Sequence, residues 1–332
     1  MAHGRGIVGE GAAHAAEGPE APRAARRPRL VTDSAASALL RQAGLDLAAL
    51  RTQAASRAFH PVPTGITIDI GFRNSVQHLQ SENVVGVVRG SDPALRDQYV
   101  AFSAHWDHLG IGPAVNGDSI YNGADDNASG VADVLAVARA AVGSMRPKRS
   151  LLFVFVTAEE SGLLGSAWFA QNPTVPASQI IGALNVDGGN TLGRTRDLAV
   201  LGEKKSSLGA ELAEFVRPNG MRLSPELHPE AGEFYRSDHF SFAQAGIPAV
   251  SIGAGDDFIG RPRAWGKQQN DDYTAHRYHQ PSDAYRPDFN LEGAVQLSEI
   301  VLKFGLQLAN EHRVPTWSRD AEFGASRAAA VP

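Results

Sequence analysis

Histidine and carboxylate side chains follow several apolar, strand-like runs of this sequence at the point where each run ends. The residues in this position are His105, Glu159, Glu160 and Asp187. In open α/β sheets the carboxyl ends of neighbouring strands meet along one edge, and ligand sites form there. Imidazole nitrogens and carboxylate oxygens are ligands that zinc prefers in proteins. The sequence therefore predicts that these side chains converge on hydrolytic zinc ions at one edge of a sheet.

Two further residues extend this set. Asp125 stands just before a helix predicted to begin at Asn127 or Ser129, and His279 follows a long polar segment. Taken alone, an aspartate before a helix is usually an N-cap, and an acidic pair such as Glu159-Glu160 suits a helix start. The ordered combination of all six favours a metal site over these separate structural roles.

Strands alternate with helices along the chain. The predicted strands are 83–89, 99–104, 151–156, 180–186, 198–201 and 247–252, and the main helices follow Asn127, 208–216 and 291–308. This alternation is typical of an α/β protein, here a three-layer α/β/α sandwich with a mixed, mainly parallel central sheet. Residues 254–278 are polar and glycine-containing with little periodicity, so we predict a long loop there.

Composition narrows the class of protein. The chain has 332 residues, a net charge of −5 and no cysteine, so any metal must be held by His, Asp and Glu. The sequence has no stripe of basic residues of the kind that binds nucleic acid. It also has no apolar run of the ~20 residues needed to span a bilayer. We therefore expect neither a nucleic-acid partner nor a membrane span, and the sequence leaves the oligomeric state open.

Four segments are predicted from composition and pattern. Residues 1–30 read as a disordered tail without the apolar core of a secretory signal, and 31–80 as an N-terminal helix (33–57) and strand (65–72). Residues 81–312 form the catalytic domain, and 313–332 a flexible C-terminal tail.

The ordered motifs resemble the co-catalytic di-zinc aminopeptidases of metallopeptidase family twenty-eight, which include bacterial leucyl aminopeptidase and glutamate carboxypeptidase. The matching stretches are SAHWDHLG at 103–110, GADDNASG at 123–130, AEESGLLGS at 158–166, NVD at 185–187, SDHFSFAQAGIP at 237–248 and YHQPSD at 278–283. The resemblance implies a zinc exopeptidase-like fold and a metallo-aminopeptidase that acts on peptide substrates with two Zn²⁺ ions per chain. It also implies export to the periplasm or medium. Residues 31–80 would then be a remnant beside a missing protease-associated insert.

Roles follow residue by residue from the resemblance. His105 and Asp187 would hold one zinc, and Glu160 and His279 the other. Asp125 would bridge both ions and precede a cis peptide bond, Asp125–Asp126. Glu159 would be the general base that takes a proton from a zinc-bridging water, and Asp107 would orient the ring of His105.

Some assignments stay open in the sequence. His108 is favoured for a structural or rim role. The residue that assists the oxyanion is Tyr235 or Arg236, because Phe234 stands where some relatives have tyrosine. Two alternatives to an aminopeptidase remain: a carboxypeptidase or dipeptidase with Arg236 or Arg277 as a carboxylate clamp, and a non-catalytic binding module.

Overall fold

The computed structural model describes residues 31–67, 78–144, 146–225 and 232–324. Of these, the residues up to Leu79 belong to one compact unit and those from Gln80 onward to a second. Within the described ranges no helix is both long enough and apolar enough to cross a bilayer.

The first unit contains two short helices, α1 (Asp33–Gln42) and α2 (Leu47–Ala54). The prediction of one helix over 33–57 is therefore wrong. Gly44, with a φ of 70°, lies in the break between the helices. The carboxylate of Asp46 then accepts a hydrogen bond from the backbone N–H of Ala49 (2.7 Å) and caps α2. The strand predicted at 65–72 lies mostly outside the described residues.

The second unit is built on a seven-stranded mixed sheet. Its strands are β1 (Val84–Val88), β2 (Tyr99–His105), β5 (Ser150–Val156), β6 (Ile180–Asn185), β7 (Asp197–Leu201), β8 (Arg222–Ser224) and β9 (Ala249–Ala254), and a separate hairpin contains β3 (Gly110–Val115) and β4 (Asp118–Tyr121). The order across the sheet is β1-β5-β2-β6-β9-β7-β8. The central neighbours β5, β2, β6 and β9 are mutually parallel, and β1 and β7 run antiparallel to their neighbours β5 and β9. The carboxyl ends of the four parallel strands therefore share one edge.

Helices cover both faces of this sheet. The α-helices of this unit are α3 (Gly130–Ser144), α4 (Leu164–Gln171), α5 (Ser207–Val216), α6 (His239–Gln244), α7 (Trp265–His276) and α8 (Glu292–Asn310). One core cluster joins α3, α5 and α8 to the sheet through residues such as Val137, Leu212 and Phe304. A second cluster includes Phe169 of α4 and Phe242 of α6. β2 and β5 are fully buried, as expected for strands covered on both faces. The predicted three-layer α/β/α sandwich is confirmed.

Two features of this fold differ from the sequence-based expectation. The loop predicted at 254–278 contains the helix α7, and only Gly266 of that helix is buried. Its residues are polar on nearly every side, so it lacks the apolar stripe from which a helix is recognised.

The C-terminal segment, predicted to be a tail over 313–332, is held against the domain as far as it is described. The Trp317 indole donates to the carbonyl of Gly246 (2.9 Å), and Thr316 N–H donates to Ser207 Oγ (3.0 Å).

Asp133 of α3 links two helices of the core at an electrostatic cost. Its carboxyl is 3% exposed and accepts a hydrogen bond from Ser298 Oγ of α8 (2.7 Å), and its second oxygen has no partner. Burial raises the pKa of Asp133 to about 6, from a reference value of 3.8. Between these two pKa values the folded protein therefore keeps a proton on Asp133 that the unfolded chain releases.

Asp133→Asn should remove this pH dependence. A carboxyl whose pKa rises on folding stabilises the fold at low pH, and that stability is lost as pH rises through the folded pKa. We expect the free energy of unfolding of the wild type, relative to the variant, to fall by on the order of 3 kcal/mol between about pH 4 and about pH 6, and then to level off. Urea unfolding of both proteins across this range measures it. A difference that does not change with pH would contradict the assignment.

Candidate metal centre

The carboxyl edge of the parallel strands gathers the candidate ligands. His105 is the last residue of β2, and Asp187 lies two residues beyond β6. Glu159 and Glu160 follow β5, which is the direct neighbour of β2. Four of the positions predicted from the sequence are thus delivered to one edge by the sheet itself.

The first group of ligands surrounds the ring of His105. Its Nε2 atom lies 3.1 Å from Asp187 Oδ1 and 3.2 Å from Asp126 Oδ1. Its Nδ1 atom lies 3.1 Å from the backbone oxygen of Asp107, which can only accept, so Nδ1 carries the proton. Nε2 is therefore the ring nitrogen that is available to bind a metal ion beside the two carboxylates. These three side chains could hold a metal ion together.

Asp126, rather than Asp125, lies between the rings of His105 and His279. Asp126 Oδ1 faces His105, and Asp126 Oδ2 lies 3.3 Å from Nε2 of His279. Among the described residues two groups of side chains could each hold a metal ion, and Asp126 is common to both; these candidate metal-binding groups are His105, Asp126 and Asp187, and His108, Asp126 and Glu160. The cis peptide bond is Asp126–Asn127, so its expected place after Asp125 is wrong by one residue.

Asp125 lies on the other side of this turn. Its Oδ1 atom accepts a hydrogen bond from Thr191 Oγ1 (3.3 Å), and Asp125 belongs to neither metal-binding group. Burial and the nearby carboxylate of Asp283 raise the pKa of Asp125 to about 7. The two adjacent aspartates diverge because the turn Ala124–Ser129 is irregular, with non-helical torsions at Asp126 and Asn127. The Asn127 side chain fixes that turn to the end of β6 by donating to the Val186 carbonyl (3.0 Å).

The second group surrounds Glu160. Its Oε2 atom lies 3.0 Å from Nε2 of His279, the same nitrogen that faces Asp126. Its Oε1 atom lies 2.8 Å from Nδ1 of His108. His108 does not lie at the rim, because its side chain is only 7% exposed and its ring meets that of His279 edge-on. The sequence did contain a signal for His108, since it stands three residues after His105 in the same motif.

Three donor atoms of this site are buried without a hydrogen-bond partner. Both ring nitrogens of His108 and the Oε1 atom of Glu160 are buried without a hydrogen-bond partner, although Nδ1 and Oε1 are close. Buried polar atoms of this kind are costly unless something satisfies them. A cation among Asp126, Glu160 and the histidines would satisfy them, and the imidazole and carboxylate donor set is the one that zinc takes.

The charges of the side chains around His105 also favour a bound cation. Burial alone would lower the pKa of His105, but the carboxylates of Asp126 and Asp187 outweigh it and raise that pKa to about 12. Without another cation, the cluster therefore recruits a proton to offset its carboxylates. A divalent cation would take over this compensation.

Glu159 and Asp107 lie beside the candidate metal ligands. Glu159 lines the open groove, and burial is the main cause that raises its pKa, to about 9. The Asp107 carboxylate accepts hydrogen bonds from the backbone N–H groups of Glu159 (3.1 Å) and Glu160 (3.4 Å), whereas its Oδ1 atom is 3.8 Å from His105 Nδ1. Asp107 thus contacts His105 through its backbone oxygen, and its carboxylate fixes the Glu159–Glu160 segment.

A groove of about 800 Å³ opens over these groups. The Tyr278 ring lies in its wall and stacks on His279, with centroids 3.8 Å apart. Tyr235, expected as an oxyanion donor, also lines the groove, and its hydroxyl donates a hydrogen bond to Glu322 (2.7 Å). Arg236 lines the groove, whereas Arg277 lines a small neighbouring cavity and pairs with Asp272. The signal that identifies Tyr278 is its position directly before His279.

A mixed α/β/α sandwich with paired His and carboxylate groups at its carboxyl edge is the architecture of zinc exopeptidases. Residues 83–305 match the profile described as Peptidase family M28, and the chain belongs to that family, as the resemblance implied.

Solved structures share the fold. An aminopeptidase from Aneurinibacillus sp. strain AM-1 is 24% identical with a TM-score of 0.51, and the alignment covers 71% of this chain and 50% of that one. A zinc aminopeptidase from Bacillus subtilis is 20% identical with the same TM-score, and the alignment covers 74% and 52% of the two chains.

The chain is also similar in sequence to an aminopeptidase and to a leupeptin-inactivating enzyme. Aminopeptidase Y of Saccharomyces cerevisiae is 28% identical over 184 residues, which cover 54% of this chain and 31% of the relative. Leupeptin-inactivating enzyme 1 of Streptomyces exfoliatus is 27% identical over 206 residues, which cover 59% and 43%. The alignments span less than half of the length of each of these relatives.

Proposed function

We propose that this chain is a metal-dependent exopeptidase, and most specifically a di-zinc aminopeptidase. The observation that carries the proposal is the position of Asp126, whose two oxygens face His105 on one side and His279 on the other. A carboxylate with its oxygens directed in this way suits two ions ~3.5–4 Å apart. His105, Asp126 and Asp187 would hold one zinc, and Asp126, Glu160 and His279 the other.

Zinc in such a site would supply Lewis-acid polarisation of the scissile carbonyl and a water of lowered pKa. The protein's own groups do the rest. Glu159 stands next to the ligand Glu160 and faces the groove, so it can accept the proton of the attacking water and pass it to the leaving amine. The raised pKa of Glu159 would come down beside two cations, towards the range in which a carboxylate works as a base.

Tyr278 is the side chain best placed to assist the oxyanion. It is fixed by stacking on His279 and lines the groove. Burial and the nearby Asp126 raise the pKa of Tyr278 to about 12, so its hydroxyl keeps its proton at neutral pH and can donate a hydrogen bond. Tyr235 is committed to Glu322, which favours Tyr278 in this role.

The charge around the groove favours a free amino terminus over a free carboxylate. A side branch of about 310 Å³ adjoins the groove, and Asp125, Asp187 and Glu233 line both. Among the described residues that line the branch there is no Lys, Arg or His. A substrate ammonium group is stabilised in such surroundings, whereas a carboxylate is repelled. Arg236 is the one Lys or Arg side chain among the described residues that line the main groove, so a carboxypeptidase remains the second candidate.

A substrate panel with metal analysis tests the proposal. We expect hydrolysis of amino-acid amides and unblocked peptides, loss of activity with a chelator, and recovery on addition of zinc. N-acetylated versions of the same peptides should be poor substrates. Preference for N-blocked peptides with a free carboxylate would favour the carboxypeptidase, and full activity after demetallation would contradict both.

Gly253→Val should alter which N-terminal residues are accepted. Gly253 of β9 lines the side branch, and a Cβ atom built on it meets nothing within 4 Å. A valine there would fill the branch while suiting a strand. We expect kcat/KM for leucine amide to fall at least ~10-fold, because a smaller pocket no longer accommodates the leucine side chain. The value for glycine amide, which has no side chain to place there, should change less than ~3-fold. Gly86→Val, on β1 and also with open space around its Cβ, is the matched control. Equal losses for both substrates would exclude the branch as the side-chain pocket.

A further inference from the structure

Asp283 is a buried carboxylate at the edge of the metal centre that the proposed chemistry does not use. It is 2% exposed and is four residues beyond His279. It belongs to neither metal-binding group of the described residues. Its side chain instead points at the backbone of the turn that carries the bridging aspartate.

The hydrogen bonds of Asp283 converge on that turn. Its Oδ2 atom accepts from the backbone N–H groups of Asp126 (3.1 Å) and Asp125 (3.2 Å), and its Oδ1 atom accepts from Asp125 N–H (3.0 Å). The Tyr273 hydroxyl donates to Oδ2 as well (3.3 Å), and the backbone oxygen of Asp283 accepts from Ala124 N–H (3.0 Å). Three successive residues of the irregular turn are therefore held by one residue.

Asp283 is equally tied to the segment that carries His279. Its own N–H donates to the carbonyl of Gln280 (3.0 Å), which closes a tight turn after His279. His279 itself has a φ of 58°, so its backbone is in a conformation that few non-glycine residues adopt. Nearby, Asn122 Nδ2 donates to the carbonyl of Pro281 (3.0 Å), a second link between the same two segments.

We propose that Asp283 is the positioning residue that sets the distance between the Asp126 carboxylate and the His279 ring, and thereby the affinity of the second metal site. The two ligands come from segments more than 150 residues apart in sequence, and no strand pairing joins them. A carboxylate suits this task because its two acceptor oxygens can serve several N–H donors at once. The inference rests on the proposed function, since it assumes that this site binds metal.

Asp283→Asn is the variant that tests this role. The amide keeps the size of the side chain but replaces one acceptor oxygen by an NH₂ donor, which would face the backbone N–H groups of Asp125 and Asp126. We expect the affinity for one of two zinc ions, measured by competition with a chromogenic chelator, to fall ~10–100-fold, as for other residues that orient metal ligands. Raised free zinc should restore kcat of the variant to near the wild-type value. The d–d absorption of the Co²⁺-substituted protein should change for one site.

Asp133→Asn serves as the control, because Asp133 is also buried and bonded to a hydroxyl but lies between α3 and α8, outside both metal-binding groups. It should leave both zinc affinities unchanged. If Asp283→Asn lowers only the melting temperature and binds both zinc ions as tightly as the wild type, Asp283 is merely structural and the inference is overturned. If the wild type itself binds no zinc, the proposed function fails instead, so the two failures are distinguishable.

Tyr273→Phe is the second variant, for use if Asp283→Asn does not fold. It removes one hydrogen-bond donor to the Asp283 carboxylate and should weaken the second site by a smaller factor. Unchanged zinc affinity in Tyr273→Phe would also overturn the inference.

Discussion

Asp126→Ala should abolish peptide hydrolysis and reduce the zinc content of the purified protein at both sites. Each oxygen of the Asp126 carboxylate faces a different histidine, so its removal takes a ligand from both metal-binding groups. We expect kcat/KM to fall at least ~10³-fold, because the metal-assisted step depends on both ions. Metal analysis by plasma mass spectrometry and amide hydrolysis measure the two effects on the same sample.

The neighbouring variant, Asp125→Ala, is the matched comparison. Its carboxylate accepts from Thr191 and stands outside both metal-binding groups, so the variant should retain two zinc ions per chain. Loss of both ions from Asp125→Ala, together with retention by Asp126→Ala, would reverse the assignment. It would restore the bridging role that the family resemblance implied for Asp125.

Glu159→Gln should separate catalysis from metal binding. The substitution removes the proton acceptor in the groove while leaving Glu160, His279 and Asp126 in place. We expect kcat to fall by at least ~10²-fold with KM little changed and zinc content intact, since general base catalysis contributes about that factor. The acid limb of the pH–rate profile should also disappear.

Glu160→Gln gives the contrast, because the adjacent residue contacts His108 and His279. That variant should lose affinity for the second zinc. Normal turnover in Glu159→Gln would remove this residue from the mechanism, and loss of zinc from it would show that it acts as a ligand.

The sequence predicts the candidate ligands that follow strands better than those that lie in an irregular turn. His105, Glu160 and Asp187 follow buried parallel strands, so apolar runs are enough to bring them together. The choice between Asp125 and Asp126 depends on an irregular turn, whose torsions no hydrophobic pattern records. The hydrogen bonds of Asp283 span more than 150 residues of sequence and are visible only in the fold.

Two features around the groove also differ from what the local sequence pattern indicates. Helix α7 forms with almost no buried apolar face. Tyr235 lines the groove, but its hydroxyl donates to Glu322, which lies 87 residues further along the chain, and no local pattern indicates that contact.

The most direct measurement is a crystal structure of the zinc-loaded protein with diffraction data at the zinc absorption edge. Two anomalous peaks should flank the Asp126 carboxylate, one beside His105 and Asp187 and the other beside Glu160 and His279. A single peak, or peaks away from Asp126, would contradict the shared carboxylate on which the proposed hydrolysis depends.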